Sequence, residues 1–222
     1  MEISKQDLNK IFESALFAGL ERKDTLEILD AHGCQIRFFG DDEEILSPKS
    51  SEKFVCMLLS GKAAVTTPDP GKSTLLRYLS IGEPFGVANL FSNSPFISVV
   101  SAKGCCKVLF LTEGAIKALL ESNATFLYNY LGFLSNRVRY LNQKIGYLTA
   151  GSAERRLALY LCSHGKTALD LPNSLTALSE LLDIGRASLY RAFDKLIEDG
   201  HIQKEGRSIR LLNPEALLQA YQ

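Results

Sequence analysis

Tryptophan is absent from this chain of 222 residues, histidine occurs three times, and the 25 basic residues are cancelled by 25 acidic ones. A balanced charge excludes a global pull toward nucleic acid. Any affinity for phosphates has to come from a local basic face, and it will weaken with salt. None of His32, His164 and His201 stands beside a nucleophile motif, so no catalytic constellation is visible and the chain reads as a non-enzyme. The five cysteines, Cys34, Cys56, Cys105, Cys106 and Cys162, are odd in number and lack metal-ligand spacing. Neither a metal nor another cofactor is expected from them. Cys56 in FVCMLL and Cys162 in LALYLCSHG lie in apolar runs, the usual place of a buried thiol. No run approaches the length of a membrane span, and no apolar signal core opens the chain. A reducing cytoplasm, with no membrane partner, is the expected compartment.

What is present is enough apolar material, 46% of residues, for one large core or two modest ones. Met1 to about Asp30 reads helical, with Ile11, Phe12, Ala15, Leu16 and Leu20 on one face, then Leu26 and Leu29. From about Gln35 to Leu111 the texture changes to short apolar runs: IRFF, FVCMLL, AAVTT, STLLRYL, ISVV and KVLFL. The links between them, SPKSSEK, TPDPGK, GEPFG and SNSP, are rich in turn residues. Many strands without intervening helices predict an antiparallel β-roll or jelly roll. Thr112 to Leu120 reads as a short helix, and Asn123 as the cap of a long one. In that helix, about 123–148, Leu127, Leu131, Leu134, Val138, Leu141, Ile145 and Leu148 alternate in steps of four and three. This is a coiled-coil seam, and it predicts a homodimer. Tyr130 and Phe133 broaden the stripe at its start, where the helix should rest on the β-domain. Thr149 to Ser152 breaks the pattern as a hinge, and Ser152 can cap a helix carrying Leu157, Tyr160 and Leu161.

The stretch Ser174 to Leu212 is the most informative. Leu175, Leu178, Leu181 and Leu182 form one helical stripe; Leu189, Ala192, Phe193, Leu196 and Ile197 form another. The link Asp183-Ile184-Gly185 is too short for long antiparallel helices, so the two must cross steeply as a helix-turn-helix. The second helix turns Arg186, Ala187, Tyr190 and Arg191 away from its core stripe, with Ser188 nearby. Arginines there can offer paired donors to guanine O6 and N7. A hairpin with Gly206 at its tip, and Lys204, Arg207 and Arg210 around it, reads as a wing beside the phosphates. The competing account is a helical subdomain whose arginines are only solvated. Stripe, turn, arginine pair and basic wing in this order favour duplex DNA.

A β-roll, a long dimer helix, a hinge and a winged helix-turn-helix resemble the Crp/Fnr superfamily of bacterial transcription regulators. The most specific match is LSELLDIGRASLYRAFDKLIEDGHI. The resemblance implies an α+β chain with residues 1–148 as a cyclic-nucleotide-binding-like sensor with its dimer helix, and 149–222 as the DNA-binding domain. It implies a near-palindromic operator as partner, RNA polymerase as a further partner, and a small-molecule effector or none. Arg186 takes the base-reading position, Arg191 the second arginine, and Ser188 lies between them. Ala187 stands where many members carry a glutamate that accepts from cytosine, so the half-site should differ from the family's commonest one. Asp183 replaces a glycine at a left-handed position, which Asp tolerates, and Gly185 replaces a Ser or Thr cap.

The sensory half departs further. Cyclic-nucleotide members use a Gly-Glu-Leu segment and an Arg-Ser pair. Here Gly86 is followed by Val87, and Phe96 and Ile97 stand in place of the pair. Leu141 and Asn142 occupy the positions of the dimer-helix contacts to the base. A phosphate buried without a cation is disfavoured, so cyclic AMP is not the expected effector. A pocket lined by Gly86, Val87, Phe96 and Ile97 should be filled by its own side chains or take an apolar, uncharged ligand. Residues 1–33 contain no cysteine, which removes the iron–sulfur branch; a haem would have only His32 and Cys34 to draw on. In KGCCKVLFL, alternation turns Cys106, Val108 and Phe110 inward and Cys105, Lys107 and Leu109 outward. A thiol at Cys105 near Lys103 and Lys107 raises redox sensing as one reading and apolar filler as the other. The alternative function for the whole chain is a ligand-binding roll that regulates a protein partner without sequence-specific DNA binding.

Overall fold

The computed structural model describes residues 3–50, 52–69, 73–92, 94, 96–164, 167–171 and 175–221. Ser51, Pro70 to Lys72, Asn93 and Pro95, which belong to links read above, and Ser174, which opens the helix-turn-helix stretch, lie outside them. The chain divides into two compact units, 1–135 and 136–222, each with its own core.

In the first unit, Ser4 caps helix α1 (Lys5–Glu13) by accepting from the Asp7 amide at 3.2 Å. Helix α2 (Arg22–Ala31) follows, then strands β1 (Gln35–Phe39), β2 (Glu44–Leu46), β3 (Phe54–Ser60), β4 (Ala63–Thr66), β5 (Leu75–Leu79), β6 (Pro84–Phe85), β7 (Val99–Ala102) and β8 (Cys106–Thr112). They form two antiparallel four-stranded sheets, ordered β1-β8-β3-β6 and β2-β7-β4-β5. Helix α3 (Glu113–Ser122) is capped by Thr112, and α4 (Ala124–Thr149) by Asn123, whose Oδ1 accepts from the Phe126 amide at 3.0 Å.

The sheets face each other over Cys56, Leu58, Val65, Phe85, Val100, Cys106, Val108 and Phe110. Alternation along β3 and β8 turns Val55, Met57, Leu59, Leu109 and Leu111 to the other side. That side is not solvent, because Ile11, Phe12, Leu16, Phe17, Ile116, Leu119 and Phe126 cover it. The expectation for Leu109 and Lys107 is corrected accordingly. Leu109 is fully buried, and Lys107 pairs with the buried Asp7 of α1. The run KVLFL shows which residues share a face, but not that helices from both ends of the unit roof one of them. Cys105 itself precedes β8 and is exposed. Gly61 turns β3 into β4 at φ +86°, and a Cβ there would lie 2.2 Å from the Cys105 carbonyl oxygen, so only glycine fits.

The second unit holds α5 (Ala153–His164), β9 (Ala168–Asp170), α6 (Leu175–Leu182), α7 (Arg186–Glu198), β10 (Ile202–Glu205), β11 (Ser208–Leu211) and α8 (Pro214–Ala220). The three strands make an antiparallel sheet ordered β10-β11-β9. Leu157 and Leu161 of α5, Leu178 and Leu182 of α6, and Leu189, Phe193 and Leu196 of α7 close on Ile202, Ile209 and Leu217. Ile197 does not join them and stays exposed. It lies at the edge of the stripe, about 80° around the helix from Leu189. Strand β9 was not read from the sequence: three residues between helices carry too little periodicity to show.

Candidate nucleic-acid interface

The two stripes meet as the sequence requires, and the turn between them fixes where the arginines point. Asp183 takes the left-handed conformation at φ 52°. Gly185 occupies the N-cap of α7 in extended geometry, with no side-chain cap hydrogen bond. With Leu189, Ala192, Phe193 and Leu196 buried beneath, the first two turns expose Arg186, Ala187, Tyr190 and Arg191. Arg191 donates through Nη2 to the Ser188 hydroxyl at 3.1 Å, which steadies its fork along the helix. Arg186 makes no ion pair or hydrogen bond among the described residues, so all its donors remain available. The far half of α7 differs. Lys195 pairs with Asp199 at 2.9 Å, and Asp199 also accepts from the Tyr221 hydroxyl at 2.6 Å. Those two hydrogen bonds, the tyrosine's first, hold the Asp199 carboxyl below its usual range. Uncommitted positive charge on α7 is thereby concentrated at its start.

A residue not singled out in the sequence, Arg156 on α5, sets this turn. Its Nη1 donates to the carbonyls of Leu182 at 3.1 Å and Asp183 at 2.8 Å, and its Nη2 donates to Leu148 at 3.2 Å. The helix ends of α6 and α4 would otherwise leave those carbonyls open. The signal available was an arginine next to Leu157 in a helix otherwise packed by leucines. That marks a charge near a core without naming its partners.

On the wing, Gly206 turns β10 into β11 at φ +60°. Lys204 and Arg207 are both exposed, but they are placed differently. Lys204 sits opposite Ile209 and reaches over the Phe193 ring at 5.8 Å. Arg207 turns back through Nη2 to the Leu171 carbonyl at 3.0 Å, so part of its fork is committed inside the domain.

Along α4 the two faces separate. Phe126, Tyr130 and Phe133 pack on the first core, Asn129 donates to the carbonyls of Leu16 and Ala18, and Tyr147 packs in the second core. On the other face Leu127, Leu131, Val138, Leu141, Ile145 and Leu148 are between 36% and 57% exposed. Leu134 is the exception in the stripe, partly buried against the first core.

The four pocket residues do not converge. Gly86, at φ +79° and placed so that a Cβ would lie 2.6 Å from the Phe54 carbonyl oxygen, starts a 3-10 turn over Val87–Asn89. That turn carries Val87 into the helix-covered core, Phe96 packs against the inside of the roll, and Ile97 is 74% exposed. Val87 and Ile97 are therefore not lining residues of the roll. Among the described residues no cluster of His, Cys, Asp and Glu could hold a metal ion, and no helix is long and apolar enough to cross a membrane.

Comparison with known proteins bears on both units. The family described as "Cyclic nucleotide-binding domain" matches residues 36–123, and "Crp-like helix-turn-helix domain" matches 155–220. The chain is 24% identical over 196 residues to the cAMP-activated global transcriptional regulator CRP of Pasteurella multocida (strain Pm70), covering 83% of this chain and 93% of that one. Two solved structures share the fold. The catabolite activator protein of Thermus thermophilus does so at a TM-score of 0.54 and 20% identity, covering 94% of this chain and all of that one. DNR from Pseudomonas aeruginosa does so at a TM-score of 0.53 and 19% identity, with 100% of both chains covered. With a cyclic nucleotide-binding domain followed by a Crp-like helix-turn-helix, the chain belongs to the Crp/Fnr-type transcription regulators.

Proposed function

We propose that the protein acts as a homodimer that reads a near-palindromic operator in duplex DNA, with an effector other than cyclic AMP or with none. The observation that carries this is the start of α7, where Arg186 and Arg191 are presented on a core-locked helix with no acidic partner among the described residues. Arg186 serves as the base reader, Arg191 as a second contact to base or phosphate. Ser188 and Tyr190 flank them, and Ala187 offers only a methyl. Lys204 and Arg207 contribute to phosphate affinity from the wing. The exposed stripe from Leu127 to Leu148, with Leu134, pairs two copies and so sets two half-sites about one helical turn apart. Residues 1–148 form the sensory and dimerising part, residues 149–222 the DNA-binding part. The role is binding rather than catalysis. RNA polymerase in a bacterial cytoplasm is the partner that such a regulator would address.

The test is selection of bound duplex from a random pool with the full-length protein, repeated at several salt concentrations. Enrichment of a two-fold-symmetric site, with affinity falling steeply with salt, supports the proposal. Failure to enrich any palindrome would instead favour a roll that regulates a protein partner.

A further inference from the structure

The roll contains a cation that the DNA-binding reading leaves unused. Arg37 lies in the middle of β1 with Val108 as its register partner on β8. Directly opposed residues of an antiparallel ladder share a face, so Arg37 points with Val108 toward the core between the sheets. Its guanidinium stands 4.4 Å from the ring centroid of Phe110 and 5.2 Å from that of Phe54. Among the described residues it has no ion pair or hydrogen bond, while its nitrogens keep contact with solvent. Several other cations described in the unit are differently placed. Lys10 is bound to the Leu59 carbonyl, Lys53 to that of Ser92, Lys103 to Asp42 and Lys107 to Asp7. Arg77, opposite the inward Val65, is taken by Glu83.

A guanidinium stacked on aromatic rings has its flat faces covered and its in-plane donors open. Those donors match a carboxylate in bidentate geometry. The charge of Arg37 matches one negative charge. The half-buried Phe39, Phe54 and Phe96 at the edge of the inner core match an apolar body. They offer nothing to the hydroxyls of a ribose. We infer that the roll binds a small monocarboxylate with an apolar body, its carboxylate paired with Arg37. This rests on the proposed sensory role of the roll. It replaces the uncharged ligand that Val87, Phe96 and Ile97 suggested, because the charge missing from that segment is supplied from β1.

The full-length protein is titrated calorimetrically with benzoate, phenylacetate and octanoate, and in parallel with benzamide, phenylacetamide and cyclic AMP. At least one carboxylate should bind saturably and raise the melting temperature by about 2–4 °C, while its amide does not. Arg37→Met keeps an apolar stem between the rings without the charge. It should weaken the carboxylate at least about tenfold and leave the melting temperature of the free protein within a few degrees. Arg37→Lys, which keeps a point charge but loses the fork, should fall between the two and serves alone if Arg37→Met does not fold. Silence from all three carboxylates, or equal binding by the amide or by either variant, overturns the inference. Operator binding on the same preparations separates the outcomes. A protein that selects an operator yet ignores carboxylates refutes this inference alone.

Discussion

Arg186 and Tyr190 lie one turn apart on α7, while Ala187, Ser188 and Arg191 occupy the neighbouring ridge. If Arg186 reads a guanine, Arg186→Ala should lower operator affinity about 5- to 150-fold, the equivalent of about 1–3 kcal/mol, and relax preference at one base pair. Arg207→Ala should instead weaken all sequences alike, and only slightly, since its fork is partly engaged with Leu171. Competition of variant and wild type over single-base operator changes measures both; unchanged selectivity in Arg186→Ala would remove the groove assignment. Asp7 gives a residue-scale prediction about pH. Burial pushes its carboxyl up, but hydrogen bonds from Lys107 and Ser4, with the charges of Lys107 and Lys10, outweigh that and hold it below the usual range. A depressed carboxylate contributes stability that is present above its unfolded pKa, about 3.9, and is lost as pH falls through the lower folded value. Asp7→Asn should therefore destabilise the protein at neutral pH, on the order of 1–3 kcal/mol, and make no difference once the wild-type carboxyl is protonated. Urea unfolding of both proteins across acid pH checks the sign.

Among the elements, those written by local pattern were legible and those assembled from distant segments were not. The stripe of α7, the left-handed Asp183 and the cap at Asn123 each depend on residues within a few positions, and each is where the sequence places it. The roof over β8 depends on α1, about a hundred residues earlier, so Lys107 could not be matched with Asp7 from the strand alone. Val87 misled for a related reason: the 3-10 turn after Gly86 carries it into the core that the distant helices cover. Arg156 shows the same limit in the candidate site, since its three carbonyl partners come from the ends of α4 and α6 and from the turn after α6. The seam of α4 is an element-scale claim with its own test. Leu141→Asp puts a carboxylate in the middle of the exposed stripe, where pairing would bury it without a partner. It should sediment as a monomer and lose operator binding while the monomer stays folded, because Leu141 contributes to neither core. Leu134→Asp should also unfold the first unit, since Leu134 leans on that core. A Leu141→Asp protein that remained a tight dimer would take the seam out of this account.

At the scale of the whole molecule the charges cancel, so nonspecific attraction to DNA is weak and the local face of α7 and the wing decides. Phe54 and Phe110 cover the faces of Arg37, and the half-buried Phe39, Phe54 and Phe96 offer nothing to the hydroxyls of a ribose. Cyclic AMP or cyclic GMP at millimolar concentration should accordingly leave the melting temperature unchanged, since only a bound ligand stabilises a fold. A saturable rise with either nucleotide, accompanied by tighter operator binding, would overturn that expectation. Helix α4 has a further consequence at this scale. The line between the compact units falls within it, after Ser135, so Leu127 and Leu131 of the stripe belong to one unit and Val138 to Leu148 to the other. If two copies pair along the whole stripe, mass action acts on both units at once. Diluting the protein should lower the melting of roll and DNA-binding domain together, and Leu131→Asp in the first unit should make the second melt earlier, without touching any residue of it.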